Sequence, residues 1–208
     1  MIKVISFDLD GTLVRKEFTD DFWLYAIPKK YAELKNLSFE EAKALILKMY
    51  EEVGQEDLRW YIPNYWIKYL GLKDNIESLA ELVKGESIYY DDVKETLKVL
   101  SKSFRLVIVT SNPRDFLEFK IKAIKSYITE SFSCIDDLKS PRKNRDFYLL
   151  VCSKLDLKPE ELAHVGDDPL YDYILPRSLG INSFLIDRNL NRSNNDRINS
   201  LLELIKLL

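Results

Sequence analysis

The sequence predicts an α/β protein built on a doubly wound parallel sheet, with an all-helical segment inserted after the first strand. Three observations predict it. Short apolar runs at residues 2–7, 104–109, 132–135, 162–165 and 183–186 alternate with helical patterning, the signature of parallel strands joined by crossover helices. Residues 16–85 interrupt that alternation with helical periodicity and no strand-like run. Three of the apolar runs end in polar clusters, Asp8-Leu9-Asp10, Thr110-Ser111-Asn112 and Gly166-Asp167-Asp168. In open α/β sheets ligands bind beyond the carboxyl ends of the strands.

Taken in order, Met1 to Phe7 reads as a buried strand, and Gly11 supplies the sharp turn after its acids. A helix is expected over residues 21–36, capped by Thr19 or Asp20 and kinked near Pro28. Ser38 and Glu41 form a capping box for a helix over residues 39–53. Residues 56–70 form a third helical segment broken at Pro63, and residues 75–83 a fourth. The aromatic run Trp60 to Tyr69 suits both a small-domain core and the lining of a substrate pocket. Asp91 or Asp92 opens the helix through Leu100, and Ser111 or Asn112 is expected to cap the helix over residues 114–128. Residues 146–155 are helical. Asp168 reads as the N-cap before Pro169. A polar loop rich in Asn and Arg precedes a final helix from Ile198. The expected division is a core of residues 1–15 and 86–208 with a helical insert at 16–85, placed to act as a lid.

Composition bounds the function. With 208 residues, 46% hydrophobic and 31% charged, the chain can bury an ordinary core. A net charge of −3 gives no electrostatic case for nucleic acid. No apolar run approaches the roughly 18 residues a bilayer span needs, and a strand at the very start leaves no room for a signal peptide. Cys134 and Cys152 lack metal spacing. The expectation is a cytoplasmic protein, monomeric or a simple homo-oligomer, with a small-molecule partner and neither membrane nor nucleic acid.

The chemistry follows from residue types. Carboxylates from two strands are hard oxygen ligands suited to Mg²⁺. A hydroxyl and a lysine, from Thr110, Ser111 and the basic loop near Lys143, suit phosphate oxygens. Asp8 can act as a nucleophile toward phosphorus. Asp10 can then protonate the leaving alcohol and afterwards activate water. His164, inside a strand, is expected to bond locally rather than to take part.

Phe7-Asp8-Leu9-Asp10-Gly11-Thr12-Leu13 resembles the first motif of the haloacid dehalogenase superfamily of phosphohydrolases. Val107 to Asn112 resembles its second, and His164-Val165-Gly166-Asp167-Asp168 with Asp172 its fourth. The resemblance implies a Rossmann-like sheet, a type 1 helical cap, and Mg²⁺ held by Asp8, the carbonyl of Asp10 and Asp167. It further implies an aspartyl phosphate on Asp8 and phosphoryl binding by Thr110. Asp172 would lie behind the metal, with Asp168 beside it. The third motif calls for a cation from Lys139-Ser140-Pro141-Arg142-Lys143, where Lys143 is the preferred residue and Arg142 and Lys139 are alternatives.

The expected activity is Mg²⁺-dependent hydrolysis of a small phosphomonoester. A 2-haloacid dehalogenase shares the nucleophile but needs neither metal nor an acid at position 10. A sugar phosphomutase shares all the motifs. A phosphonate hydrolase would want a Schiff-base lysine in its cap, which no register here identifies. A non-catalytic binding protein on the same fold is the remaining alternative.

Overall fold

In the computed structural model, which describes residues 1–85, 87–189 and 196–208, the first apolar run becomes strand β1 (Val4–Phe7), all four residues buried. Five further strands lie parallel to it: β2 (Arg105–Thr110), β3 (Glu130–Ser133), β4 (Leu162–Gly166), β5 (Asn182–Ile186) and β6 (Arg197–Ile198). Among the described residues the order is β3-β2-β1-β4-β5-β6. The direction of winding therefore reverses between β1 and β4, and ligands bind at the carboxyl ends flanking such a switch point. Asp8 follows β1 and Asp167 follows β4.

Side chains alternate across the sheet. Ile5, Phe7, Leu106, Ile108, Ala163 and Val165 belong to one buried layer. Val4, Val107, Val109 and Leu162 belong to the other. Burial on both faces explains why these strands read as continuous apolar runs.

The segment between Val14 and Tyr89 is helical: α1 (Lys16–Asp21), α2 (Ile27–Lys35), α3 (Phe39–Val53), α4 (Pro63–Leu70) and α5 (Ile76–Glu81). Phe22–Ala26 joins α1 to α2 as a wider π-type turn. Pro28 has no N–H to give an ordinary helical turn, which accounts for the widening. The capping box forms as expected: Glu41 N donates to Ser38 Oγ at 3.3 Å and Ser38 N to Glu41 Oε2 at 3.0 Å. Chain entry and exit meet where Val14 bridges Tyr89, with Arg15 N bonded to Ile88 O.

Beyond it come α6 (Val93–Leu100), α7 (Arg114–Ile121), α8 (Cys134–Asp137), α9 (Arg145–Leu155), α10 (Leu175–Ser178) and α11 (Leu204–Leu207). Layering assigns α7 and α9 to opposite faces: Phe116, Leu117 and Ile121 pack with the first layer, Phe147, Tyr148 and Val151 with the second. The first layer runs on into the insert, where Phe22 meets the Phe116 ring at 4.6 Å between centroids.

Five expectations need correction. The first helix of the insert begins at Lys16 with Arg15 as its N-cap, so Thr19 and Asp20 lie inside it rather than capping it. The strand expected at 132–135 is β3 at Glu130–Ser133, because Ser133 Oγ accepts from Asp136 N and starts α8 there. Helix α7 ends at Ile121 and is followed by a short 3₁₀ turn, Lys125–Tyr127, rather than running to residue 128. Its N-terminus is not capped by Ser111 or Asn112; Asp136 Oδ2 accepts from Arg114 N at 2.6 Å from across the loop. Ile198 lies in β6 rather than opening a helix, and the terminal helix begins later. Part of the expected Asn- and Arg-rich loop, residues 190–195, and the insert boundary at residue 86 lie outside the described residues.

Asp92 ties the C-terminal segment to α6. Its Oδ2 accepts from Leu201 N at 2.8 Å, Ser200 Oγ at 2.9 Å and Arg188 Nη1 at 3.0 Å. Burial alone would raise this carboxyl, yet Arg188 and the two 200-region donors hold it below the ordinary aspartate range. A depressed folded-state pKa stabilises above the unfolded value of about 3.9 and is lost as pH falls through the folded value. Asp92→Asn is therefore expected to cost about 1–3 kcal/mol at pH 7. In urea titrations at several pH values, that deficit should shrink below about pH 4. A pH-independent deficit would contradict this account.

Candidate active site

The strand ends bring together a cavity of about 250 Å³ whose lining includes Asp8, Asp10, Thr110, Ser111, Lys143 and Asp167. Arg142, Asp168 and Asp172 line it as well. Apart from the third-motif alternative Lys139, the site residues expected from the sequence thus meet in one place. Lys139 does not line it.

Three carboxylates, of Asp8, Asp167 and Asp172, each offer an oxygen within 4.8 Å of the others. Lys143 sits between two of them, its Nζ 2.6 Å from Asp8 Oδ1 and hydrogen-bonded to Asp172 Oδ1, with only 5% of its side chain exposed. Lys143, rather than Arg142, is the cation at Asp8. Burial opposes the charge on Lys143, but Asp172 and Asp8 raise its pKa above that of an ordinary lysine. Burial pushes Asp8 up to about 8, against the pull of Lys143 and reinforced by the like charges of Asp172 and Asp167. It pushes Asp167 up to about 6.

Asp172 is spent on other partners. Its Oδ1 also meets His164 Nε2 at 3.0 Å and Tyr148 Oη at 3.4 Å, and its Oδ2 accepts from Asp168 N at 3.2 Å. Lys143 and His164 outweigh burial and lower its pKa. A carboxylate only accepts, so His164 donates through Nε2–H, and Nδ1 accepts from Ser6 Oγ at 2.8 Å. Burial keeps His164 below its ordinary pKa, against the pull of Asp172. As expected, His164 serves the structure locally. Asp168 accepts from Leu170 N and Tyr171 N, both at 2.8 Å, and so is the N-cap the sequence suggested.

Two glycines make this crowding feasible. Gly11 has φ +79°, and a Cβ there would overlap the Asp167 carboxylate. A Cβ on Gly166 would overlap Asp172.

Asp10 lies in a separate, equally specific setting. It accepts from Lys120 Nζ at 2.6 and 2.8 Å, Thr19 Oγ1 at 2.7 Å and Asn112 Nδ2 at 2.9 Å. Lys120 is fully buried, sits 3.9 Å from the Phe116 ring centroid, and also donates to Thr19 Oγ1 and Asn112 Oδ1. Burial would raise Asp10; Lys120, Thr19 and Asn112 bring it below the ordinary range instead. Thr19, Asn112 and Lys120 escaped the sequence reading. The one available signal was a lysine at position i+4 from Phe116 on the apolar face of α7.

Thr110 Oγ1 accepts from Asn112 N at 3.2 Å and Nδ2 at 3.1 Å. Its own proton takes no partner among the described residues, so it can donate to an anion in the cavity. Arg142 turns the other way, bonding Gln55 Oε1 at 3.3 Å and Glu56 Oε1 at 3.2 Å in the helical insert.

The donor set fits a small hard cation. Three carboxylates, two buried and that of Asp167 partly exposed, face a single lysine, and Asp8 Oδ2 and the Asp167 carboxylate have no hydrogen-bond partner among the described side chains. All available ligands are oxygen, the set Mg²⁺ prefers.

Comparisons with known proteins agree with this geometry. The family model described as a haloacid dehalogenase-like hydrolase matches residues 2–180. A protein of Clostridium perfringens named as a candidate pyrophosphatase, PpaX, is 29% identical over 183 residues, covering 86% of this chain and 81% of its own. The GMP/IMP nucleotidase YrfG of Escherichia coli is 24% identical over 174 residues, covering 80% of this chain and 74% of its own. The crystal structure of a HAD phosphatase from Thermococcus onnurineus superposes with a TM-score of 0.79 at 26% identity, covering 99% of this chain and 97% of that one.

The Asp10–Lys120 contact lends itself to a double-mutant cycle. Lys120→Met alone is expected to cost about 1–3 kcal/mol in urea unfolding. With Asp10→Asn already present, the same change should cost about 1–2 kcal/mol less. Strictly additive costs would mean that the two groups do not stabilise each other.

Proposed function

This chain belongs to the haloacid dehalogenase-like hydrolases, and from that premise we propose that it is a Mg²⁺-dependent phosphohydrolase acting on a small phosphomonoester through an aspartyl phosphate on Asp8. One observation carries the reading: three carboxylate groups, of Asp8, Asp167 and Asp172, share a cavity with Lys143 as their compensating cation. A carbon-attacking dehalogenase has no use for that excess of negative charge. The pyrophosphatase, nucleotidase and phosphatase names of the relatives point the same way.

In this reading Asp8, Asp167 and the backbone carbonyl of Asp10 hold Mg²⁺, which when bound offsets the repulsion between Asp8 and the phosphate dianion. Thr110, Ser111 and Lys143 donate to the phosphoryl oxygens. Lys143 holds the Asp8 carboxylate in place, and Asp8 attacks phosphorus in line as the ester P–O bond breaks. Asp10, which Lys120, Thr19 and Asn112 hold below the ordinary range, takes up a proton from the incoming phosphate monoanion and passes it to the leaving oxygen, and Lys120 stabilises the carboxylate that remains. In the second step Asp10 takes a proton from water, whose oxygen attacks phosphorus and releases Asp8 and inorganic phosphate. Residues 16–85 serve as the cap, hinged where Val14 pairs with Tyr89.

Asp8→Asn is expected to lower phosphate release from p-nitrophenyl phosphate by about 10³-fold or more. Excess chelator should abolish wild-type turnover, and added Mg²⁺ should restore it. Gly11→Ala, which crowds Asp167, should also lose the rise in melting temperature that Mg²⁺ gives the wild type. Substantial turnover by Asp8→Asn, or full activity in excess chelator, would overturn the proposal.

A further inference from the structure

Beside the Asp8 cavity, inside the helical insert, lies a second cavity of about 350 Å³ walled by Trp23, Leu24, Leu47, Tyr50 and Trp60. The two are neighbours along α1. Lys16 lines the first cavity, and Asp20, one turn later, lines the second. Between them Thr19 touches Asp10, and Trp23 follows Thr19 by four residues, on the same side of the helical run. On the opposite wall Arg142, which lines the first cavity, donates to Gln55, which lines the second. The cavities therefore meet at a rim between Asp20 and Gln55.

The lining has a definite chemistry. Trp23 and Tyr50 meet edge to face, with ring centroids 5.9 Å apart and planes at 83°. A flat ring can stack on one while meeting the edge of the other. The charged groups lining this cavity are Asp20 and Glu51, both acids, and no lysine or arginine among the described residues lines it. A second phosphate or a carboxylate would be repelled there, whereas N–H and O–H donors would find acceptors in Asp20, Glu51 and Gln55.

We propose that this cavity takes the leaving group of the substrate, and that the leaving group is a flat, uncharged aromatic one bearing hydrogen-bond donors. The proposal rests on the phosphohydrolase reading of the Asp8 site. Its volume lies within the usual range for a small-molecule pocket. Two sources supply such a group, a nucleoside or a phenol, and both leave as neutral alcohols.

The test is steady-state hydrolysis with Mg²⁺ of acetyl phosphate, glycerol 3-phosphate, guanosine 5′-monophosphate and 1-naphthyl phosphate. Guanosine monophosphate and glycerol phosphate have leaving groups of similar intrinsic reactivity, so a difference between them reports binding. The expected result is a KM at least about ten-fold lower for the aromatic esters. Which of the two is preferred identifies a nucleoside or a phenol as the source. Trp60→Ala should raise KM for the aromatic esters about five- to ten-fold relative to acetyl phosphate. Leu47→Arg, which places a bulky side chain in the same cavity, should raise it in the same sense. Equal KM values across the esters, or variants that change every substrate alike, would overturn this inference while leaving the phosphohydrolase reading intact. Release from no ester at all would remove that reading itself.

Discussion

The structure depends on keeping three carboxylates close together in a largely buried place. Each pays a desolvation cost, and each repels the others. Lys143 relieves two of them, Asp8 and Asp172. The rest of the relief is relayed: Asp172 accepts from His164, and His164 is oriented by Ser6 from the central strand. A chain of hydrogen bonds thus runs from β1 through β4 to the cavity. The residues of that chain are polar and buried in a sheet whose interior is mostly apolar, and they are there because Asp172 needs partners. Gly11 and Gly166 belong to the same constraint, since a methyl group at either position would occupy space the carboxylates use.

Asp10 is two residues from Asp8 yet answers to different partners, and the layering of the fold explains why. Helix α7 covers one face of the sheet and sends Lys120 around the carboxyl edge to Asp10. The loop leading into α9, on the other face, sends Lys143 to Asp8. Each layer contributes one lysine, and each lysine meets a different acid. The outcome is a carboxyl raised by burial beside one lowered by its ammonium partner. The order is the reverse of what attack by Asp8 and proton donation by Asp10 need, so a cation bound at Asp8 and a phosphate bound beside Asp10 would have to exchange the two proton affinities.

Much of this was legible in the sequence, and the illegible parts have physical reasons. The strand ends at Asp8, Thr110 and Asp167 could be read because fully buried parallel strands are continuous apolar runs ended by polar residues. Lys143 could not be separated from Arg142 by pattern, because a polar basic loop has no periodicity to set its register. Lys120 was passed over because lysine in a helix ordinarily faces water; only the tertiary approach of Asp10 makes burying it favourable. Asn112 looked like a cap for α7, yet its amide bridges Asp10, Thr110 and Lys120, and Asp136 does the capping from 22 residues further on. Local sequence offered Asn112 a local partner, and the fold gave it a distant one.

The helical insert is joined to this chemistry through few contacts, and their placement matters. Thr19 on α1 donates to Asp10 and accepts from Lys120. Arg142, beside the cavity, reaches Gln55 and Glu56, which follow α3 in the insert. The chain enters and leaves the insert side by side at Val14 and Tyr89. Swinging α1 away removes one donor from Asp10 and one acceptor from Lys120, while the bonds within the core remain. The balance that sets the Asp10 carboxyl therefore depends on where the insert stands. In the arrangement seen here α1 completes the set, and the insert is thereby part of the electrostatics of the site.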